Sequence, residues 1–138
     1  MEKPINEQIG DHTSWTMKQI RVRNITNLSF QDMKVSFCSS FFCRFKGLMF
    51  YPGLNEFEGL LLVENRESRI NSAIHMFFMR FDIAVVWINS QLQVVDVKVA
   101  RKGHPFYLPT APSKYTLETH PDRFFDFRIG DILSFNDI

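Results

Sequence analysis

The stretch "DIAVVWINSQLQVVDVKVA", residues 82–100, decides the fold of this chain. Its first part, "DIAVVWIN", is a short apolar run rich in branched side chains, which reads as a strand buried on both faces. Asn89 and Ser90 follow as a two-residue hairpin turn, without the glycine of the best turns. "LQVVDVKVA" then alternates. Alternate residues of a strand share a face, so Val95, Val97 and Val99 are expected on one side and Val94, Asp96 and Lys98 on the other. Two short strands joined by a tight turn set the pattern for the rest of the chain.

Towards the N-terminus, "KQIRVRN" (18–24) and "DMKVSF" (32–37) alternate in the same way. Ile20 and Val22 point one way in the first, and Met33, Val35 and Phe37 point inward in the second. "SSFFCRFKGLMF" (39–50) breaks the period. Its serine start, mixed aromatics and bases, and closing Gly47 predict a short helix of two to three turns. "YPGL" is a turn, and "FEGLLLVE" (57–64) is a second strand buried on both faces. Towards the C-terminus, "RKGHPFYLPTAPS" (101–113) is a long loop of the kind that often carries function. "KYTLET" is a strand, "HPDRFFDF" a helical turn or two with Pro121 at its start, and "RIGDILSF" a turn into a final strand.

Seven or so short strands with short connections predict a mainly-β fold. The expected form is a single-domain β-sandwich or jelly-roll-like barrel with one or two short helices as plug or cap. Residues 1–16 lack periodicity and read as a flexible N-terminal leader, leaving 17–138 as the β-rich domain. No repeat, low-complexity tract or internal linker interrupts it.

The 138 residues suit one domain. With 45% hydrophobic residues and 15 Phe, the core needs neither metal nor disulfide. So many Phe overfill one small core, which points some of them at a groove or partner surface. A net charge of +1 predicts no strong field, and nucleic acid is not expected as a partner. Cys38 and Cys43 lie five apart; on a helix that spacing puts them on different faces and disfavours a disulfide. Free thiols fit a reducing compartment. The start, "MEKPINEQIG", is polar, and no window approaches a membrane span. The expectation is a soluble, cytoplasmic protein with no membrane partner, as a monomer or homodimer.

His75, Arg80 and Asp82 interrupt the otherwise apolar run "INSAIHMFFMRFDIAVVWIN" (70–89). They are either satisfied polar exceptions of a buried strand or residues at a pocket mouth, and we read them as the latter. His75 is the one group there that exchanges protons near neutral pH. Cys43 beside Arg44 and Lys46 could carry a lowered thiol pKa and pair with His75, against the plainer reading of a small buried hydrophobe. Arg44, Lys46 and Arg80 could form an anion-binding patch, with Gly47 admitting a ligand close to the backbone. The plainer reading there is a solvated helix face and a C-cap. His12, His75, His104 and His120 show no paired spacing, and there is neither CxxC nor HExxH, so no metal and no cofactor are expected.

"RFKGLMF" (44–50), "FEGLLLV" (57–63), "IHMFFMRFDIAVVWIN" (74–89) and "YTLE" (115–118) together resemble the landmarks of the domain of unknown function 192 family. The resemblance covers roughly residues 17–135. Gly47, Leu48 and Met49 match its Gly-Leu-Met tripeptide, His75 its histidine, Met79 and Phe81 its Met-x-Phe, and Glu118 its late acid. What this implies is a mainly-β sandwich or jelly-roll-like fold without an established activity. One departure stands out. The family tends to place Pro and then, two residues on, Asp after that Phe; here those slots hold Asp82 and Ala84. The carboxylate is thereby displaced by about 6.6 Å along the strand, so a role of the family acid does not pass to Asp82 by position.

Three functions follow. The first is a small-ligand or peptide binding module with a pocket near His75, lined by Arg44, Lys46, Gly47, Arg80, Asp82 and Glu118. The pocket is expected between the "RFKGLM" turn, the His75 strand, the 101–113 loop and Glu118. The second is a hydrolase or transferase with His75 as base and Glu118 as its orienting partner. The third is a self-association protein whose excess Phe forms the interface.

Overall fold

Alternation carries the first two strands. β1 (Gln19–Asn24) buries Ile20 and Val22, and β2 (Met33–Cys38) buries Met33, Val35 and Phe37 while Lys34 and Ser36 face outward. A computed structural model of the protein describes residues 17–138; the leader expected over 1–16 lies outside the described residues. β1 and β2 pair antiparallel. β3 (Glu58–Ser68) runs parallel to β2. Parallel neighbours need a crossover. Residues 39–57 supply it and contain helix α1 (Phe41–Lys46). β4 (Ile83–Ile88), β5 (Val94–Ala100), β6 (Ser113–Thr119), a 3-10 helix (Pro121–Asp126) and β7 (Leu133–Asp137) complete the chain.

The protein is mainly β with two short helices, as expected, and its strands form one mixed sheet in the order β5-β4-β6-β3-β2-β1-β7. The sheet is not closed into a barrel. Its edge strands meet at one corner, through the isolated Gln93–Ile132 bridge. One face carries a core to which every strand contributes, among them Val22, Val35, Leu61, Val86 and Leu117, with Tyr115 packed edge-on against Phe135 at 5.1 Å. The other face of β3, β4 and β6 carries a second core built on Leu60, Leu62, Val85 and Trp87. Leu48, Ile74 and Met76 cover it from two connecting segments. β3 and β4 are therefore buried on both sides, which is why their sequences read as unbroken apolar runs.

Four local expectations need correction. First, β5 does not alternate strictly. Ile88 pairs with Val94 but Trp87 pairs with Asp96, so Val95 is an extra residue. Such a bulge rotates everything beyond it by one step. Val94 and Val97 thus meet the first core, whereas Val95 packs on the second. Second, the hairpin turn is longer than Asn89-Ser90; Asn89 N–H donates to the Gln93 carbonyl and Leu92 takes the left-handed φ of 63°. Third, residues 70–82 are not a strand. Only Ile74 makes a bridge, to Tyr107, and the segment is anchored through side chains instead. Trp87 Nε1–H donates to the Ser72 carbonyl at 2.8 Å, and the Ser72 and Ser113 hydroxyls lie 2.7 Å apart.

The fourth correction concerns the cysteines. Cys38 and Cys43 are joined by a disulfide. Helical spacing does not apply to the pair, because only Cys43 is on the helix. Cys38 ends β2, the chain turns at Ser39 and Ser40, and the Cα atoms come to 5.7 Å, well within bridging reach. No thiolate is available at Cys43 in this state. Free thiols, the ground for expecting a reducing compartment, are replaced by the bridge at both positions. Among the described residues no helix is long and apolar enough to cross a membrane.

Candidate functional site

β6 is the middle strand of the second face, between β3 and β4. Its pairing puts Glu118 in one rung with Leu60 and Val85, and Thr116 in the next with Leu62 and Trp87. A carboxylate thus stands in the middle of an apolar sheet face. The crossover carrying α1 and the irregular 70–82 segment arch over that face without filling it. Between them lies a cavity of about 540 Å³, with Thr116 and Glu118 on its sheet side.

Glu118 is 4% exposed, and its Oε1 accepts no hydrogen bond. Burial away from water penalises the charged form and pushes the carboxyl up to about 7. Gly47 lies directly against it. A Cβ at position 47 would stand 3.1 Å from Glu118 Oε1, and the backbone there has the left-handed φ of 49°. The positive φ calls for glycine, and a Cβ would fit only if the Glu118 carboxyl gave way by a few tenths of an ångström. The same residue closes α1, its N–H donating to the Cys43 carbonyl at 2.8 Å, while Ser40 Oγ caps the other end by accepting from Cys43 N–H at 3.1 Å. The serine start and glycine stop were legible in the sequence, although α1 is only six residues long.

His75 lines the same cavity, but both of its ring nitrogens serve the main chain. Nε2–H donates to the Phe45 carbonyl at 2.9 Å, and Nδ1 accepts from Phe77 N–H at 3.3 Å, an assignment inferred from the partners. The imidazole is a clamp between the end of α1 and the 70–82 segment. The expected base-and-orienter pair is not formed, since Glu118 Oε1 is without a partner and the imidazole is already engaged.

Arg44 and Lys46 reach the cavity as expected, with different duties. The Arg44 guanidinium donates to the carbonyls of Ser39 and Val63 and pairs with Glu64 at 3.3 Å. Partial burial raises the Glu64 carboxyl, with the Arg44 charge opposing that shift. Lys46 holds its ammonium over the Tyr51 ring at 6.0 Å. Arg80 is exposed and Asp82 lies elsewhere; neither lines the cavity. The Asp82 carboxylate accepts from Lys102 N–H at 2.9 Å and pairs with Arg101 at 3.4 Å. The 101–113 loop stands behind the site. Tyr107 exchanges two backbone bonds with Ile74, and the His104 carbonyl accepts from Met76 N–H, so the loop braces the His75 segment from outside.

Sequence reasoning missed Glu64, Asn65, Arg66, Asn71, Ser72 and Thr116, all of which line the cavity. Glu64 and Thr116 had a signal. Each lies two residues from a neighbour on the same face, Leu62 and Glu118 respectively. Asn71 and Ser72 had none, because an irregular segment has no period. Among the described residues, no three His, Cys, Asp or Glu gather as a metal cluster would.

A mainly-β sheet with a roofed cavity over a buried carboxyl is the class of protein that fold and geometry define. The model of the DUF192 family, described as an uncharacterized ACR, matches residues 22–135, and the chain belongs to that family. It is 42% identical over 86 residues to a UPF0127 protein of Thermococcus sibiricus, covering 62% of this chain and 54% of that one. It is 38% identical over 104 residues to a UPF0127 protein of Thermococcus gammatolerans, covering 74% and 66%. The chain thus spans between about half and two thirds of the length of these relatives. A crystal structure of a candidate transcription regulator from Sinorhizobium meliloti superposes with a TM-score of 0.75 over 88% of this chain and 95% of that one. At 16% identity that likeness is one of fold.

Proposed function

We propose that the cavity binds a small organic molecule, or the end of a short peptide, which presents an N–H or O–H donor to Glu118. Its apolar body would lie against Leu48, Leu62, Ile74 and Met79, with the methionine adapting to its shape. The observation that carries this reading is the unpartnered Glu118 Oε1 at the sheet side of the cavity. A buried polar atom without a hydrogen bond costs about 1–3 kcal/mol. A leucine there would avoid that cost, so the acid is best understood as kept for a partner that arrives from outside. The volume of about 540 Å³ suits a ligand of metabolite size.

The test is a two-dimensional NMR screen of metabolites, sugars and short peptides, run on the parent protein and on Glu118→Leu. The expected result is a ligand whose shifts centre on the amides of Gly47 and Thr116–Glu118 and vanish in the folded variant. Hits that bind the variant equally well, or none across such a screen, would contradict the proposal.

A further inference from the structure

Charge and aromatic rings are unevenly distributed along the chain. Residues 38–55 and 68–81 contain Arg44, Lys46, Arg69 and Arg80 and no Asp or Glu. Against +1 for the whole chain, these two segments carry +4 and the remainder carries −3. They also hold 7 of the 15 Phe. In the fold they are the two segments that cover the second core. Having supplied Leu48, Ile74 and Met76 inward, they leave Phe41, Phe42, Phe45, Phe50, Phe77 and Phe78 outward.

Five of these six rings make ring contacts, in two groups. Phe41 stacks on Phe45 at 6.5 Å, Phe45 meets His75 at 5.4 Å, and His75 stacks on Phe77 at 5.6 Å. Phe78 stacks on Phe50 at 5.3 Å, and Phe50 N–H donates to the Phe78 carbonyl. The last two have left-handed φ values of 60° and 66°. Bulky side chains rarely adopt that conformation, and where they do the strain often marks a site of function. Here the strain buries little: Phe50 and Phe78 are 56% and 66% exposed, and Phe41 and Phe42 are 77% and 73% exposed as well. An exposed apolar patch of this kind marks an interaction surface.

The cations identify the partner. Arg44 is taken by Glu64 and Arg69 donates to the Pro109 carbonyl at 3.0 Å, which leaves as outward cations Arg80 and Lys46, the latter with its ammonium over the Tyr51 ring. Two outward cations are too few to track a nucleic-acid backbone. A symmetric contact with a second copy would set this positive face against itself. Rings without polar tips beside a few cations, and no acids within the two segments, are what an anionic membrane surface accepts. We infer that the face formed by residues 38–55 and 68–81 docks on an anionic lipid bilayer, inserting its phenylalanines between headgroups. The expectation of no membrane partner rested on the lack of a spanning segment; lying on a surface does not require one.

The test is co-sedimentation of the full chain with phosphatidylcholine vesicles, with and without phosphatidylglycerol. Binding is expected on the phosphatidylglycerol vesicles, weaker on phosphatidylcholine alone, and reversed by salt. Phe42→Ser with Phe78→Ser should weaken it by roughly tenfold per ring, whereas Phe125→Ser, on the 3-10 helix, should leave it unchanged. Circular dichroism checks that each variant is folded. The inference is overturned if the parent protein does not pellet with phosphatidylglycerol vesicles, or if the double variant pellets as well as the parent. It is equally overturned if the patch instead binds single-stranded oligonucleotides, or holds a dimer seen by light scattering, with vesicles left unbound. Glu118 is untouched throughout, so the ligand reading is tested separately.

Discussion

Gly47 and Glu118 depend on each other. The glycine's missing side chain is the space the carboxyl oxygen uses, and its left-handed φ lets the chain leave α1 across β6. Gly103 provides a comparison, since its φ is also left-handed, at 84°, but a Cβ there would touch nothing. Gly103→Ala should therefore cost only backbone strain, about 1 kcal/mol. Gly47→Ala should cost at least ~1 kcal/mol more in urea unfolding, because φ 49° with ψ −128° lies outside the left-handed basin and because its Cβ would press on Oε1. A difference that persists undiminished in a Glu118→Ala background would mean that Oε1 is not the obstacle. His75 acts between two pieces of main chain. His75→Ala should destabilise by about 1 kcal/mol and speed amide exchange at the end of α1. Unchanged exchange there would show that the imidazole is not a clamp.

At the scale of elements, α1 is too short to stand alone. Its cap, the His75 bond and the disulfide to β2 hold it over the cavity. Closing a loop of this size is worth about 2 kcal/mol on the chain-entropy account. Reduction by a dithiol should lower global stability by that order, read at the slowest-exchanging amides of β4 and β6, with a further loss of protection confined to residues 38–50. A loss of equal size everywhere would show that the bridge acts only through the unfolded chain and does not hold α1 in place. The elements also show where sequence reading succeeds. β1 and β2 were legible because each has one face in a core, so polarity follows the pleat. β3 and β4 were legible as runs because both faces are covered. β5 was legible as a strand, but its faces were misassigned because one inserted residue, Val95, breaks the period without altering composition. Residues 70–82 looked like strand because they are apolar. Yet Phe77 and Phe78 are outward, and burial never imposed a period on them.

The whole molecule brings distant residues together, and here the sequence was least informative. Glu118 meets Gly47 only because β6 lies between β3 and β4 while the β2–β3 crossover passes above. Nothing local to "YTLE" announces this, and family resemblance alone pointed to Glu118. Arg80 and Asp82 fell away for the same reason: neighbours of His75 in sequence need not be its neighbours in an irregular segment. The buried carboxyl then sets a property of the entire fold. Its pKa is about 7 in the folded protein against 4.5 in the open chain. Below 4.5 both states carry the proton and Glu118 contributes no pH dependence. Between 4.5 and 7 the unfolded chain releases it while the fold retains it, so stability falls as pH rises, and above 7 the loss is complete at ~3 kcal/mol. Glu64 shifts in the same direction in parent and variant alike, so it cancels in a comparison. The decisive measurement is urea unfolding of the parent and of Glu118→Gln, a neutral mimic of the protonated acid, from below pH 4.5 to above pH 7. The parent should lose about 3 kcal/mol relative to the variant across that window. Parallel profiles would mean that Glu118 ionises as it does in water, and that no unpartnered acid waits in the cavity.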